Sequence, residues 1–252
     1  MRFFLRPVFI LFFLLLCFNC SEKEKKNISL DQGSWQSQAS ANGHKDQERK
    51  HKFLREIFQN NKTDYVILII KKNFRLEVYN KDLILLKSYL IGYGSNPDQK
   101  AKRHEGDHRT PEGIYKINRI LSLKSPVESE SYQKLVAMNK IYFRAKDGHS
   151  KYNQPNLDLG DNAYGPRFYG LNYPNKEDQK KYQQNIKGGL LKKVKGRLPR
   201  IGSGIALHGT SDLNSLGHLS SQGCIRMSNQ EIVELDDYVS LGLPVAIVFA
   251  IK

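Results

Sequence analysis

Cys224 is the only cysteine after position 20 in a chain of 252 residues, and His208 stands sixteen positions before it. A thiol attacks carbonyl carbon as the thiolate, and a cysteine of ordinary pKa, about 8.5, is mostly protonated at neutral pH. An imidazole within hydrogen-bonding reach removes that obstacle, as a general base or as the cationic half of an ion pair. Gly223, directly before the cysteine, allows a tight turn and a close approach to substrate. Backbone N–H groups of Gly223 and Cys224 could then form an oxyanion pocket. The same residue types also fit an inert role, with the cysteine a small buried hydrophobe and the histidine structural.

The flanking residues separate these readings. His208-Gly209-Thr210, followed by Ser221-Gln222-Gly223-Cys224-Ile225-Arg226-Met227, resembles the active-site signature of the L,D-transpeptidases, the YkuD-domain family. The resemblance extends over about residues 64–251 and implies a mainly β, sandwich-like catalytic domain with a few helices. It implies Cys224 as nucleophile, His208 as its base and Gly209 as the carbonyl that orients the imidazole. Arg226 would stand beside the substrate's carboxylate, with Gly223, Ser221 and Thr210 as further substrate-binding positions. Gln222 occupies a place where many members carry histidine, which removes any second-histidine role.

The elements that must position these residues are legible in outline. Tyr65–Ile70 is a β-rich run, residues 72–73 a turn, and residues 74–79 alternate in the strand manner. A further turn at 80–82 precedes a strand over 83–91, and such consecutive short strands predict an antiparallel sheet. The stretch 105–115 contains Thr110-Pro111-Glu112-Gly113, a turn followed by a strand over 114–120. It resembles the family's Thr-Pro-x-Gly element, which lies against the active site. Its Glu-Gly-Asp lead-in, together with Asn172-Tyr173-Pro174-Asn175, resembles one subgroup of the family. Residues 121–161 read as irregular, with one helix near 129–139. Residues 176–200 form a Lys-rich insertion, read as a lid or as a solvated surface excursion. A strand over 201–207 leads into His208, a helix over 229–241 has Ser228 as its N-cap, and residues 245–251 close the domain.

Two other patterns mimic unrelated chemistry. His104-Glu105-Gly106-Asp107-His108 satisfies His-Glu-x-x-His, a zinc motif that requires a helix to bring both histidines to one face. Gly106 within it and Pro111 after it argue against that helix, so no metal site is expected. Gly92 and Gly94 have no third glycine opening a helix and are not read as a dinucleotide fingerprint. No metal or organic cofactor is required.

The N-terminus has cations at Arg2 and Arg6 and an uncharged apolar run over 8–18, the pattern of an export signal, with an uncleaved anchor as the alternative. Cys20 follows, in the manner of a lipoprotein signal, although Cys17, Phe18 and Asn19 are not the small residues preferred before such a cleavage point. The expected organisation is a signal over 1–19, a tether over 20–62 with a short helix near 47–59, and a catalytic domain over 63–252. With Cys17 removed and Cys20 acylated, Cys224 is the sole free thiol of a periplasmic, membrane-anchored monomer. The net charge of +15, from 40 Lys and Arg against 25 Asp and Glu, then suits anionic wall or lipid rather than nucleic acid.

The family mechanism implies acyl transfer from the L-to-D bond of a peptidoglycan tetrapeptide stem to an amine of a neighbouring stem, giving a 3-3 crosslink. Two alternatives remain at this point. One is a hydrolase of the same acyl-enzyme, an L,D-carboxypeptidase or an amidase that frees a wall-linked lipoprotein. The other is an inactive wall-binding lipoprotein.

Overall fold

The computed structural model describes residues 32–145, 150–151, 154–158 and 164–251. The expected signal, Cys17 and Cys20 lie outside the described residues. The chain divides into two compact units, Met1–Ala41 and Asn42–Lys252, and apart from the start of α1 everything that follows lies in the second. No described helix is long and apolar enough to cross a membrane.

In chain order, α1 (Gln32–Asn60) precedes β1 (Tyr65–Ile70), β2 (Arg75–Asn80), β3 (Leu85–Leu90) and the short β4 (Tyr93–Gly94). Next come β5 (Gly113–Ser122), α2 (Glu130–Ala145), β6 (Ser150–Lys151), β7 (Gln154–Asp158) and β8 (Arg167–Leu171). The last elements are α3 (Lys176–Lys187), β9 (Ala206–Thr210), β10 (Leu219–Ser221), β11 (Ile225–Ser228), α4 (Asn229–Glu234) and β12 (Pro244–Val248).

Eight strands form one sheet in the order β11-β9-β8-β5-β12-β1-β2-β3. β1 is apolar throughout because both of its faces are covered. Ile67 and Ile69 enter the main core with Leu207, Ile225, Met227 and Tyr169. Val66, Leu68 and Ile70 pack instead with Leu54 and Ile57 of α1. Just past β3 the sheet closes on itself: Gly92 N–H donates to Arg226 O at 3.0 Å, and Arg226 N–H to Gly92 O at 2.8 Å. Gly92 permits this closure, since a Cβ there would lie 2.3 Å from Ser215 O.

The sheet is mixed, not antiparallel as the run of short strands predicts. β1 pairs parallel to β12, and β9 parallel to β11, pairings made by strands far apart in the chain. β8 has no counterpart in the sequence reading, because Pro166 before it and Gly170 within it weaken a five-residue strand signal. The stretch expected to be tether up to residue 62 also differs: α1 is 29 residues long, and Leu54 and Ile57 are fully buried. Lys50 Nζ fixes the helix to the sheet at Glu77 (3.0 Å) and Tyr79 (3.2 Å). The last helix is shorter than predicted. Ser228 caps it, with a reciprocal bond to Glu231, but α4 gives way to a 3-10 turn at Leu235–Asp237. There Asp236 turns to accept from the buried Arg167 and from Tyr169 OH.

Candidate active site

Strand register brings His208 and Cys224 to one face of the sheet. β9 and β11 run parallel with His208 opposite Arg226, and side chains alternate between faces along a strand. Leu207 and Ile225 therefore point into the core, whereas His208, Arg226 and Cys224, two residues before Arg226, share the other face. All three line a cleft of about 380 Å³. A larger groove of about 690 Å³ beside α1 shares no residue with it.

His208 is 4% exposed and is held between two aromatic rings. Phe168, its cross-strand partner, stacks at 6.4 Å, and Tyr164 meets it edge-on at 4.9 Å. Its Nδ1 lies 2.8 Å from Gly209 O. A carbonyl oxygen only accepts, so Nδ1 carries the proton and Nε2 keeps its lone pair. Burial lowers the imidazole pKa to about 4; the Gly209 bond opposes the shift and the positive charge of Arg226 adds to it. The side chain is thus a neutral base at neutral pH. A Cβ at position 209 would fall 2.4 Å from Asn229 Oδ1 and 3.1 Å from Gly165 Cα, so a side chain there would force these neighbours to shift.

Cys224 is half-buried, and its thiol donates to Gly204 O at 3.4 Å. Burial pushes the thiol above its ordinary range, against the Ala206 backbone amide and the charges of Arg226 and Lys102. The two shifts run in opposite directions and both favour the neutral forms, a protonated thiol and an uncharged imidazole, in the same cleft.

The turn before the cysteine is tightly braced. Ser221 Oγ donates to Cys224 O at 2.6 Å and accepts from Gly223 N–H at 3.0 Å. Thr110 Oγ1 donates to Gly223 O at 2.9 Å and accepts from Gly94 N–H at 3.0 Å. Gly223 has φ +134°, and a Cβ there would lie 2.8 Å from Arg109 O. Of the two amides expected to form an oxyanion pocket, that of Gly223 is engaged by Ser221 Oγ. Ser221 and Gly223 shape the turn, and Ser221 also lines the cleft. Arg226 lines it as well, and its buried Nε has no hydrogen-bond partner among the described residues.

Thr210 is a correction. It is buried at the end of β9, its hydroxyl accepts from Asp212 N–H at 3.1 Å, and it does not line the cleft. The His104–His108 stretch does form one wall, through Glu105, Gly106 and His108, but as a turn. Asp107 organises it, accepting from Lys102 Nζ (2.8 Å) and from the backbone N–H groups of Arg103, His104 and Arg109. Burial opposes ionisation of this carboxyl, and these donors outweigh it, holding its pKa below the ordinary range. His104 Nδ1 bonds to Glu105 O at 2.7 Å and His108 Nδ1 to Ser95 Oγ at 3.3 Å, so the two imidazoles do not share a helical face. Among the described residues no cluster of three or more metal-ligating side chains occurs.

The Thr-Pro element lies against the cysteine turn through Thr110. The Asn172–Asn175 stretch is scaffolding: Asn175 caps α3, and Asn172 Oδ1 accepts from Lys116 N–H at 2.7 Å. No residue of the 176–200 insertion lines the cleft, although Gly202, Ser203 and Gly204 just after it do. Sequence reasoning missed Tyr164, Phe168 and Gly204. Each owes its role to a contact across strands or loops, and no local pattern marks it.

Among solved structures, the fold is similar to Bdellovibrio bacteriovorus Bd1075 (24% identity, 75% of this chain and 49% of that one, TM-score 0.43). It is also similar to the helical cell shape determining protein Pgp2 from Campylobacter jejuni (19%, 75% and 48%, TM-score 0.43). An L,D-transpeptidase from Mycobacterium smegmatis aligns at 13% identity over 74% of this chain and 59% of that one, TM-score 0.36. The chain spans about half the length of the first two structures. No curated protein matches it. The L,D-transpeptidase catalytic domain model, YkuD, matches residues 64–247, a span that includes both β9 and the Cys224 turn, and the chain belongs to that family.

Proposed function

We propose that the protein is an L,D-transpeptidase that acts on peptidoglycan stem peptides through a Cys224 acyl-enzyme. One observation carries the reading: His208 presents a neutral Nε2 on the face that holds Cys224, with its tautomer fixed by Gly209 O at 2.8 Å. Nε2 takes the thiol proton as Sγ attacks the carbonyl of the L-to-D bond. The leaving D-alanine amine then takes that proton from the imidazolium, and a thioester remains on Cys224. An acceptor amine attacks the thioester, its proton passes to His208, and the thiol is restored as a 3-3 crosslink forms. The unpartnered Nε of Arg226 suits a carboxylate of the anionic stem.

Two features of the site bear on the acceptor. Gln222 lines the cleft and cannot act as a base near neutral pH, so His208 is the evident base for either acceptor. An amine is intrinsically a better nucleophile than neutral water, which favours transfer. In the same reading the protein is exported to the periplasm and is anchored by lipid on Cys20; globomycin should then cause a larger precursor to accumulate.

Incubation with disaccharide-tetrapeptide alone, followed by mass spectrometry, tests the reaction. Transfer gives a dimer lacking one D-alanine as the main product. Tripeptide monomer dominating at saturating acceptor replaces transfer with carboxypeptidase action, and release of a wall-bound lipoprotein without either product identifies an amidase. Cys224→Ala should remove every product together with the thioester mass adduct.

A further inference from the structure

The segment between α3 and β9 is pinned at both feet and unsupported between them. Leu191 is buried at the first foot. At the second, Pro199 O accepts from Tyr182 OH at 2.7 Å, Arg200 O from Glu105 N–H at 2.7 Å and Ile201 O from Tyr173 OH at 3.1 Å. Between the feet, Val194 and Arg197 exchange both backbone hydrogen bonds, at 2.8 and 3.1 Å. Lys195 (φ +49°) and Gly196 (φ +77°) lie between them, as in the primed two-residue turns that close hairpins. The tip is a built projection, not a slack loop.

Its surface combines two chemistries. Residues 188–200 contain five basic side chains, Lys192, Lys193, Lys195, Arg197 and Arg200, and no acidic one; all five are exposed. Among them Leu190, Val194 and Leu198 are 54%, 61% and 40% exposed. A surface serving only solubility would carry polar residues at these three positions. A site for a soluble polyanion would use the cations, but the aliphatic groups would add nothing. Cations around aliphatic side chains on a projecting turn match an anionic bilayer surface, where the charges meet phosphate headgroups and the aliphatics enter the interface.

We propose that the 190–198 tip docks on anionic phospholipid headgroups. The consequence is orientation. The second foot runs directly into Gly202, Ser203 and Gly204 at the cleft, and Arg200 O ties it to Glu105, which also lines the cleft beside Gly202. A docked tip therefore sets the direction in which the Cys224 cleft faces relative to the bilayer. Neither the proposal nor its test depends on the role of Cys224.

The test uses the full chain in phosphatidylcholine vesicles with and without phosphatidylglycerol, and the double Asp variant below, which leaves the N-terminus unchanged, separates the tip's contribution from that of the N-terminal cations. Trypsin cleavage after Lys193, Lys195 and Arg197, read by mass spectrometry, should slow at least about tenfold on the anionic vesicles and recover in high salt. The Val194→Asp/Leu198→Asp variant should lose most of that protection. As a second readout, Val194→Trp in a Trp35→Phe background should shift its emission to the blue only with anionic vesicles. Equal cleavage on both vesicles with unchanged emission overturns the proposal. Protection that survives the double Asp substitution and is matched by soluble polyphosphate also overturns it, in favour of a polyanion site.

Discussion

Thr110 and Gly223 lie 113 positions apart in the chain, and the threonine hydroxyl donates to the glycine carbonyl at 2.9 Å while accepting from Gly94 N–H at 3.0 Å. One hydroxyl thereby ties the Thr-Pro element and the strand after Gly92 to the turn that presents Cys224. Thr110→Val leaves the Gly94 N–H and Gly223 O without this partner, which costs about 1–3 kcal/mol for a buried polar group left unmade. The variant should unfold at lower denaturant and lose about tenfold or more in turnover as the thiol drifts from its base. Thr110→Ser should restore both.

Thiol reactivity follows from the resting charge state. With the Cys224 thiol raised by burial and His208 lowered to about 4 by the same cause, little thiolate exists near neutrality. The rate of iodoacetamide alkylation should climb steadily with pH through and beyond the ordinary cysteine range. An ion pair would instead give a flat, fast rate between about pH 5 and 7; that plateau is the outcome that would refute the general-base assignment.

The same imidazole should leave a signature in stability. Its folded pKa of about 4 lies below the unfolded value of 6.5, so between these values the unfolded chain binds the extra proton. Stability is unaffected by this group above the upper value and falls as pH drops through the window, by about 3 kcal/mol in all. Urea denaturation from pH 7 to pH 4 should show that slope on top of carboxylate titration. In His208→Gln the slope should diminish by that amount.

Phe168 stacks on His208 at 6.4 Å and helps to keep it from water. Phe168→Ala should open the ring to solvent and raise its pKa from about 4 toward the ordinary value, measured by NMR titration of the imidazole. Turnover should fall in parallel, because the base loses the packing that fixes its orientation. An unchanged titration midpoint would mean that the strand register alone desolvates the ring.

The legible parts of this protein were those written locally. The β-rich run of Tyr65–Ile70 announces a strand, Ser228 announces a helix start, and the residues around Cys224 carry the family signature. What stayed hidden depends on pairings between distant strands. Phe168 is ordinary in sequence until β8 places it opposite His208. Thr210 belongs to the signature but sits at the end of β9 with Asp212, where only the course of the chain could put it. Leu54 and Ile57 read as a short amphipathic stretch in a polar tract, and their burial depends on the underside of β1 being free to receive them.

The reciprocal bonds between Gly92 and Arg226 bear on how a peptide can be held. Many clefts beside a sheet margin capture an extended peptide as one more strand, borrowing unpaired N–H and C=O groups. Here the backbone of residue 226 is already spoken for, so an incoming peptide cannot add itself to β11 at that point. Selection then falls to side chains and to the loop carbonyls around the thiol. A peptide held at this point is therefore gripped through its side chains and termini, because β11 has no backbone group to lend it at residue 226.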